Sequence, residues 1–281
     1  MTRSPACKCA GLAPECISYR LGLCGRIDPA TFQALSASAH FEDLPADRIL
    51  WHDDHAPAFV GVVLSGILRF ERSNSQGRRQ VLNLLLPGEI FGVENELGAG
   101  YTIEAATDVR LCRFDAHVFD RLMPKDRRLR AEVYRQNVNR LERLRWLTWA
   151  IGALSPEERV AAFLVIGTDY MPVQPHPEGG CVLSVMLGRR DIADLLATTV
   201  ESTCRILKSL ERDGLIEMLD PRNIHIPDLA ALAERGAIQR LGDRPSFPRI
   251  VRMARSARPL PLRELRAMMP INADGAPARA S

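Results

Sequence analysis

The apolar residues of this chain change their spacing once, close to residue 115, and this change limits what the chain can fold into. From Leu44 to Asp115, short apolar runs alternate with polar residues and are separated by turn signals such as Ser65-Gly66. Apolar residues repeat every second position in a strand and every third or fourth position in a helix. Many short strands at regular spacing predict an antiparallel β-roll, which we place at 27–116.

Beyond residue 116 the apolar positions step by three or four, as in a helix. The pattern continues for nearly 40 residues through Tyr134, Val138, Leu141, Leu144, Leu147, Ile151 and Leu154. A small barrel cannot cover an apolar face of this length, whereas a second copy in a coiled coil would bury it. We therefore predict a dimerisation helix over 117–154. The alternative is an ordinary helix that packs inside one chain.

Residues 155–235 have the order helix, strand, helix, turn, helix, hairpin. Ser155 and Glu158, on either side of Pro156, form a capping-box pattern that begins the first helix. The stretches "GRRDIADLLAT" and "TVESTCRILKSLERDG" predict two helices joined by a tight turn, and "NIHIPD" completes the hairpin. This order predicts a winged helix-turn-helix.

The second helix of a helix-turn-helix enters the major groove of DNA with its N-terminal residues toward the base edges. Thr199 is the expected cap, and the first turns present Glu201, Ser202, Cys204 and Arg205. Arginine donates two hydrogen bonds to guanine, glutamate accepts one from cytosine, and positions four apart are neighbours on a helix. We predict that Glu201 orients Arg205 and that both read a G·C pair; a solvent-facing ion pair is the alternative.

Charge and composition narrow the class of protein. The net charge of +3 is unevenly distributed along the chain. From Arg235 to Ser281 there are ten arginines and only three acidic residues. The rest of the chain is slightly acidic, so any DNA contact must come from a local patch. The tail, 236–281, is rich in Arg and Pro and is expected to be flexible. No apolar run is long enough for a membrane span and no signal-peptide core is present, so we expect a cytoplasmic protein without a membrane partner.

Two motifs resemble one family. The run "GRRDIADLLATTVESTCRIL", residues 188–207, and the segment "PGEIFG", residues 87–92, resemble the DNA-binding and effector domains of the CRP/FNR family of bacterial transcription regulators. The resemblance covers about residues 44–228. It implies an α+β protein with a cupin-like cyclic-nucleotide-binding β-roll, a dimerisation helix and a C-terminal winged helix-turn-helix. The implied partners are double-stranded DNA, a second copy of the chain and RNA polymerase.

The resemblance also implies which residues contact DNA. Glu201 and Arg205, four apart, look like the FNR/FixK branch, which reads TTGAT-type half-sites. Cys204 departs from the Ser that this branch has before its Arg. It is interpreted either as a small contact residue or as a redox-sensitive thiol next to Arg205 and near the helix start. The expected DNA-contacting set is Arg189, Thr199, Glu201, Ser202, Cys204 and Arg205.

Cyclic-nucleotide-binding members of the family have a Glu just after the "PGExxG" segment and an Arg-Ser or Arg-Thr pair for the phosphate. Here Val93 follows Gly92, and Ala99-Gly100 stands near the place of the pair. No basic residue lies between residues 79 and 110 to neutralise a phosphate. We therefore expect that no cyclic nucleotide is bound.

The cysteines suggest another effector, because four of the seven lie within the first 24 residues. Oxygen sensors of the FNR type hold a [4Fe–4S] cluster with three N-terminal cysteines and one in a late barrel strand, and such clusters need thiolates. Cys112 matches the barrel position, and Cys16 and Cys24 match two N-terminal positions. Positions 13 and 14, where a third would be expected, are Ala and Pro, so Cys9 is the candidate and Cys7 a substitute.

The expected ligand set is therefore Cys9, Cys16, Cys24 and Cys112. A structural zinc site, a thiol-disulfide switch and cysteines without a cofactor are the alternatives. The sequence has no Ser/His/Asp arrangement or phosphate loop and its six histidines are scattered, so an enzyme is not expected. The leading hypothesis is a dimeric DNA-binding regulator that senses oxygen or redox state through the cluster. The second is a cofactor-free FixK-like regulator controlled by its abundance or by Cys204 oxidation.

Overall fold

The computed structural model describes residues 16–20, 22–51, 58–93, 101–238 and 245. Cys7, Cys9 and nearly all of the Arg-rich tail lie outside the described residues, so the predictions made for them stay predictions. The chain divides into two compact units. Among the described residues, the first unit comprises positions up to 72 and 84–138, and the second comprises 73–83 and the positions from 139 onward.

The predicted β-roll is present. Its strands form two four-stranded sheets, one in the order β1-β8-β3-β6 and one in the order β2-β7-β4-β5, with antiparallel pairing. Leu68, Leu85, Ile103 and Leu111 are almost fully buried in a core shared by both sheets. The strands are β1 (His40–Leu44), β2 (Ile49–Trp51), β3 (Phe59–Ser65), β4 (Leu68–Ser73), β5 (Arg79–Leu85), β6 (Ile90–Phe91), β7 (Thr102–Ala105) and β8 (Val109–Asp115).

A second core lies on the other face of the β1-β8-β3-β6 sheet. The segment that carries Cys16 and Cys24 covers this face with a short helix α1 (Ile17–Arg20) and a 3-10 turn (Leu23–Gly25). Helix α2 (Pro29–Ala37) follows, with Pro29 at its start, where the fixed φ of proline suits a helix. Helix α2 ends at Ala37, and from His40 the backbone is paired in β1.

The stretch predicted as one helix, 117–154, forms two. Helix α3 (Ala116–Leu122) ends before Pro124, and helix α4 (Arg127–Ala153) begins after Asp126. A proline cannot donate to the preceding turn, and Asp126 Oδ1 accepts from the backbone N–H groups of Arg128 (2.7 Å) and Leu129 (3.1 Å), which caps the new helix. The prediction of an unbroken helix was therefore wrong in its first ten residues.

The second unit contains the predicted winged helix-turn-helix. Helix α5 (Pro156–Gly167) begins with the expected capping box between Ser155 and Glu158. The wing consists of β9 (Val173–Pro175), β10 (Cys181–Ser184), β11 (Glu217–Met218) and β12 (Asn223–Ile226) in the order β11-β12-β10-β9. The remaining helices are α6 (Arg189–Leu195), α7 (Val200–Arg212) and α8 (Leu229–Arg235).

Residues 73–83 are part of this second unit, and two ion pairs connect them to helix α6. Arg79 donates to Asp191 Oδ1 and to Asp194 Oδ2, both at 2.7 Å, on helix α6. In the part of the chain that the structure describes, no helix is both long and apolar enough to cross a membrane.

Candidate DNA-recognition helix and thiol cavity

Helices α6 and α7 are joined by a turn of four residues. Ala197 in this turn has a φ of 51°, and the Thr198 N–H donates to the Ala193 carbonyl at 3.0 Å, which ends α6 and reverses the chain. The Thr199 hydroxyl accepts from the Ser202 N–H at 3.1 Å and so caps α7, as predicted. Leu207 and Leu210 are buried, which leaves the opposite face of the first turns toward solvent.

The first two turns of α7 present the predicted side chains. Glu201 and Arg205 are exposed, and Ser202 and Cys204 are half-buried. Arg205 Nη2 donates to Ser202 Oγ at 3.1 Å. No ion pair joins Glu201 to Arg205 among the described residues, and the expectation that Glu201 orients Arg205 stays a prediction. The Glu201 carboxylate accepts from its own N–H and from the Thr199 hydroxyl, and both hydrogen bonds, together with the nearby charge of Arg205, lower its pKa.

Arg189 and Arg190, which are adjacent in the sequence, differ in how far they are buried. Arg189 is half-buried and donates to the Pro221 carbonyl at 3.0 Å, which ties α6 to the wing. Burial lowers the pKa of Arg189, and the adjacent Cys204 thiol opposes that shift. The side chain of Arg190 is 74% exposed, with an ion pair to Asp194 at 3.8 Å. Arg190, which was absent from the predicted set, is therefore more accessible to a DNA phosphate than Arg189, although the same "GRRD" run contains both.

Three of the predicted cysteines line one cavity in the first unit. Cys24 and Cys112 are buried in the same core cluster, and Cys16 is half-buried. None of the cysteines that the structure describes forms a disulfide. The cavity is lined by Cys16, Ser18, Tyr19, Cys24, Phe32, Ser36, Cys112 and Phe114. The sequence prediction that residues about 90 positions apart share a site is therefore supported for these three thiols.

The sheet explains why Cys112 faces this cavity. Side chains alternate between the two faces along a strand, so Leu111 points into the core shared by the sheets, and Cys112 and Phe114 point to the opposite face. Cys112 pairs with Phe41 of β1 on one side and with Val62 of β3 on the other, so it lies on a central strand of the sheet.

The cavity contains side chains that can act as thiolate ligands, but the described thiols are not arranged around a metal position. Within the described ranges, no group of three or more His, Cys, Asp or Glu side chains is spaced to hold a metal ion. Thiolate donors in an apolar wall are what an iron–sulfur cluster requires, and three of the four predicted ligands are present. Cys9, the fourth, lies outside the described residues.

Polar contacts connect the cysteine-bearing segment to helix α4. Arg26 Nη1 lies 3.6 Å from the buried carboxylate of Glu132, and the Asp28 N–H donates to Asp126 Oδ2 at 3.0 Å. Burial opposes ionisation of Asp126, but hydrogen bonds from Asp28, Thr31 and the first turn of α4 outweigh it and lower its pKa.

Glu132 continues this network toward the "PGEIFG" turn. The Gln136 amide donates to Glu132 at 2.9 Å and to the Gly88 carbonyl at 3.3 Å, and its oxygen accepts from the Ile90 N–H at 2.8 Å. Ser18, Asp126, Glu132 and Gln136 were absent from the predicted site. Glu132 and Gln136 are polar residues on the buried side of a helix, and that four-residue spacing was the one signal available for them.

Known domain families match both parts of the chain. Residues 158–235 match the Crp-like helix-turn-helix domain, and residues 41–126 match the cyclic nucleotide-binding domain. The solved structure of FixK2 from Bradyrhizobium japonicum superimposes with a TM-score of 0.64 at 23% identity, over 70% of this chain and 96% of that one. A structure of a CooA mutant from Carboxydothermus hydrogenoformans has a TM-score of 0.61 at 21% identity, over 71% of this chain and 88% of that one.

Several characterised relatives align over most of their length. The nitrogen fixation regulation protein FixK of Azorhizobium caulinodans is 30% identical over 185 residues, 65% of this chain and 73% of FixK. The transcriptional activator protein FnrL of Cereibacter sphaeroides is 26% identical over 223 residues, 78% of this chain and 90% of FnrL. With its β-roll, long helix and winged helix-turn-helix, the chain belongs to the CRP/FNR family of DNA-binding transcription regulators.

Proposed function

We propose that this regulator senses oxygen or redox state through an iron–sulfur cluster and binds TTGAT-type inverted repeats as a dimer. The observation that carries the proposal is the convergence of Cys16, Cys24 and Cys112 on one cavity. Cys9 would supply the fourth thiolate, with Cys7 as its substitute. A [4Fe–4S] cluster bound there would supply a one-electron, oxygen-sensitive centre.

The surroundings of the cavity suit this role. Phe32, Phe114 and Tyr19 line the cavity beside the thiols, of which Cys24 and Cys112 are buried. The segment is held to α4 by the Arg26–Glu132 and Asp28–Asp126 contacts. A change in the position of the cysteine-bearing segment would therefore be transmitted to the N-terminal half of α4. A sensor needs such a connection, because its effector must shift the conformational equilibrium of the element that controls the output.

The exposed face of α4 supports dimerisation. Its side chains Tyr134, Leu141 and Trp149 are 73%, 45% and 50% exposed, and they recur at helical spacing. Large exposed apolar side chains in a stripe are the pattern of a coiled-coil seam. A dimer would present two α7 helices to successive major grooves.

Helix α7 supports reading of a G·C pair. The guanidinium of Arg205, held by Ser202, is suited to the O6 and N7 of guanine, and Glu201 is suited to the N4 of cytosine. Several relatives, FnrL among them, are named transcriptional activators, which supports contact between this protein and RNA polymerase. The lack of a basic residue between positions 79 and 110 supports an effector other than a cyclic nucleotide.

The test of the sensor is anaerobic purification of the full chain followed by iron and sulfide analysis and visible spectroscopy. We expect about four iron and four sulfide per chain and an absorbance band that bleaches in air. Cys24→Ser and Cys112→Ser should abolish the band. Cys181→Ser, which changes a thiol in the other unit, is the matched control and should keep it. A colourless chain with zinc, or with no metal, contradicts the sensor.

A second candidate is a cofactor-free regulator controlled by its abundance or by oxidation of Cys204. The observation that favours it is the half-buried Cys204 thiol on the DNA-facing turns of α7, next to Arg189. In that case Cys204→Ser would remove the sensitivity of DNA binding to peroxide, and Cys24→Ser would not.

A further inference from the structure

The Ser18 side chain lines the thiol cavity. Its hydroxyl, in a residue only 1% exposed, donates to the Sγ atom of Cys24 at 3.2 Å. Both residues line the same cavity as Cys16 and Cys112. This hydrogen bond therefore joins a buried hydroxyl to one of the predicted thiolate ligands.

The backbone of the segment fixes this contact. The Tyr19 N–H donates to the Cys16 carbonyl at 3.0 Å, and the Gly22 N–H donates to the Ser18 carbonyl at 3.1 Å. A Cβ atom at Gly25 would lie 1.8 Å from the Tyr19 carbonyl oxygen, so the chain after Cys24 folds tightly onto the turn that carries Ser18. The fold of the main chain therefore holds residues 18 and 24 close enough for their side chains to form this hydrogen bond.

A hydroxyl that donates to a thiolate removes negative charge from the sulfur. Hydrogen bonds to a charged acceptor are stronger than those between neutral groups, and hydrogen bonds to ligand sulfurs help to set the reduction potential of an iron–sulfur cluster. We propose that Ser18 is a positioning residue that holds the Cys24 sulfur toward the cavity and makes the cluster easier to reduce. This inference rests on the proposed cluster and adds a residue that tunes it.

Ser36 offers a matched control. It lines the same cavity and is 5% exposed, but its hydroxyl donates to the Phe32 carbonyl at 2.6 Å. The proton of the Ser36 hydroxyl is engaged in this bond. Ser36→Ala removes the same atoms from the same wall and leaves the Ser18–Cys24 hydrogen bond in place.

The experiment measures cluster loading and midpoint potential in the anaerobic full-length chain and in Ser18→Ala, Ser18→Thr and Ser36→Ala. In the potential measurement, a redox dye of known potential transfers one electron to each cluster and is itself oxidised. We expect Ser18→Ala to load iron and sulfide but to shift the midpoint to more negative potential. At a fixed solution potential its ratio of reduced to oxidised cluster should fall roughly five-fold. Ser18→Thr, which keeps the hydroxyl, and Ser36→Ala should match the wild type.

The outcomes separate the inference from the proposed function. If the wild type binds no iron and sulfide, both are overturned. If the wild type loads and Ser18→Ala has an unchanged potential, only the role of Ser18 is overturned. If Ser18→Ala and Ser18→Thr both lose the cluster while Ser36→Ala keeps it, the size of Ser18 matters and its hydroxyl does not, which also overturns the inference.

Discussion

Arg205 is the residue whose side chain should decide which base pair is read. Its guanidinium is exposed on α7 and held by Ser202. We expect Arg205→Ala to weaken binding to a TTGAT-type site by about 1–3 kcal/mol and to remove discrimination at the G·C pair. Lys208→Ala, one turn further along the same helix, should weaken matched and mismatched sites equally. Fluorescence anisotropy on both DNAs is the measurement, and equal behaviour of the two variants would contradict this role.

We expect His225 to make the stability of the wing depend on pH. Its Nε2 lies 2.9 Å from the Gly179 carbonyl oxygen and its Nδ1 lies 3.2 Å from Glu217 Oε2. The Gly179 carbonyl is the larger cause, and together with Glu217 it outweighs burial and raises the pKa of His225 above 6.5. The folded state thus favours the protonated ring. Its contribution to stability is fully present below the unfolded pKa and is lost as pH rises through the higher folded value.

We therefore expect His225→Gln to lower the melting temperature more at about pH 5.5 than at about pH 8.5. Thermal unfolding followed by circular dichroism at both pH values measures the difference. His117→Gln, in the other unit, is the control. A loss of equal size at both pH values would show that protonation of His225 does not stabilise the wing.

At the scale of elements, the contact between the cysteine-bearing segment and helix α4 should control access to the thiols. Glu132 accepts from Gln136 and pairs with Arg26 across the two elements. Glu132→Gln weakens this tie, so we expect faster alkylation of Cys24 by iodoacetamide in the metal-free chain, measured by mass spectrometry. Glu142→Gln, at an exposed position of the same helix, is the control. Identical Cys24 rates in the two variants would refute the tie.

Elements with strong local signals were predictable from the sequence. The Ser155 capping box and the Thr199 cap both form as expected, because each needs only residues three positions apart. The break at 123–126 was missed, although Pro124 marks it, because the apolar repeat continues on both sides.

The site was predictable in part. The family resemblance placed Cys16, Cys24 and Cys112 together before any contact was known. Of the residues that support them, Ser18 reaches Cys24 through the local turns of the segment, whereas Glu132 meets Arg26 through long-range packing of the segment on α4. The four-residue spacing of Glu201 and Arg205 also did not indicate their local hydrogen bonds: Glu201 accepts from the Thr199 hydroxyl, and Arg205 donates to Ser202.

At the scale of the whole molecule, the exposed face of α4 should hold two copies together. Leu141 lies in that face and is 45% exposed. We expect Leu141→Glu to convert a dimer to a monomer, since a buried charge in a coiled-coil seam is costly, and to abolish tight DNA binding. Leu82→Glu, the same change at an exposed strand position, should remain dimeric. Sedimentation equilibrium gives the masses, and a dimeric Leu141→Glu would exclude α4 as the interface.

DNA binding by the anaerobic full-length chain, before and after exposure to air, tests the central claim most directly. Fluorescence anisotropy with an inverted TTGAT repeat, at fixed salt, gives both affinities, and a repeat with the G·C pairs exchanged gives the specificity. We predict tight, sequence-specific binding without oxygen and a loss of at least about tenfold in air, a loss that Cys24→Ser and Cys112→Ser show even without oxygen. Equal affinity in both conditions, with the cysteine variants indistinguishable from the wild type, would contradict sensing through the thiol cavity.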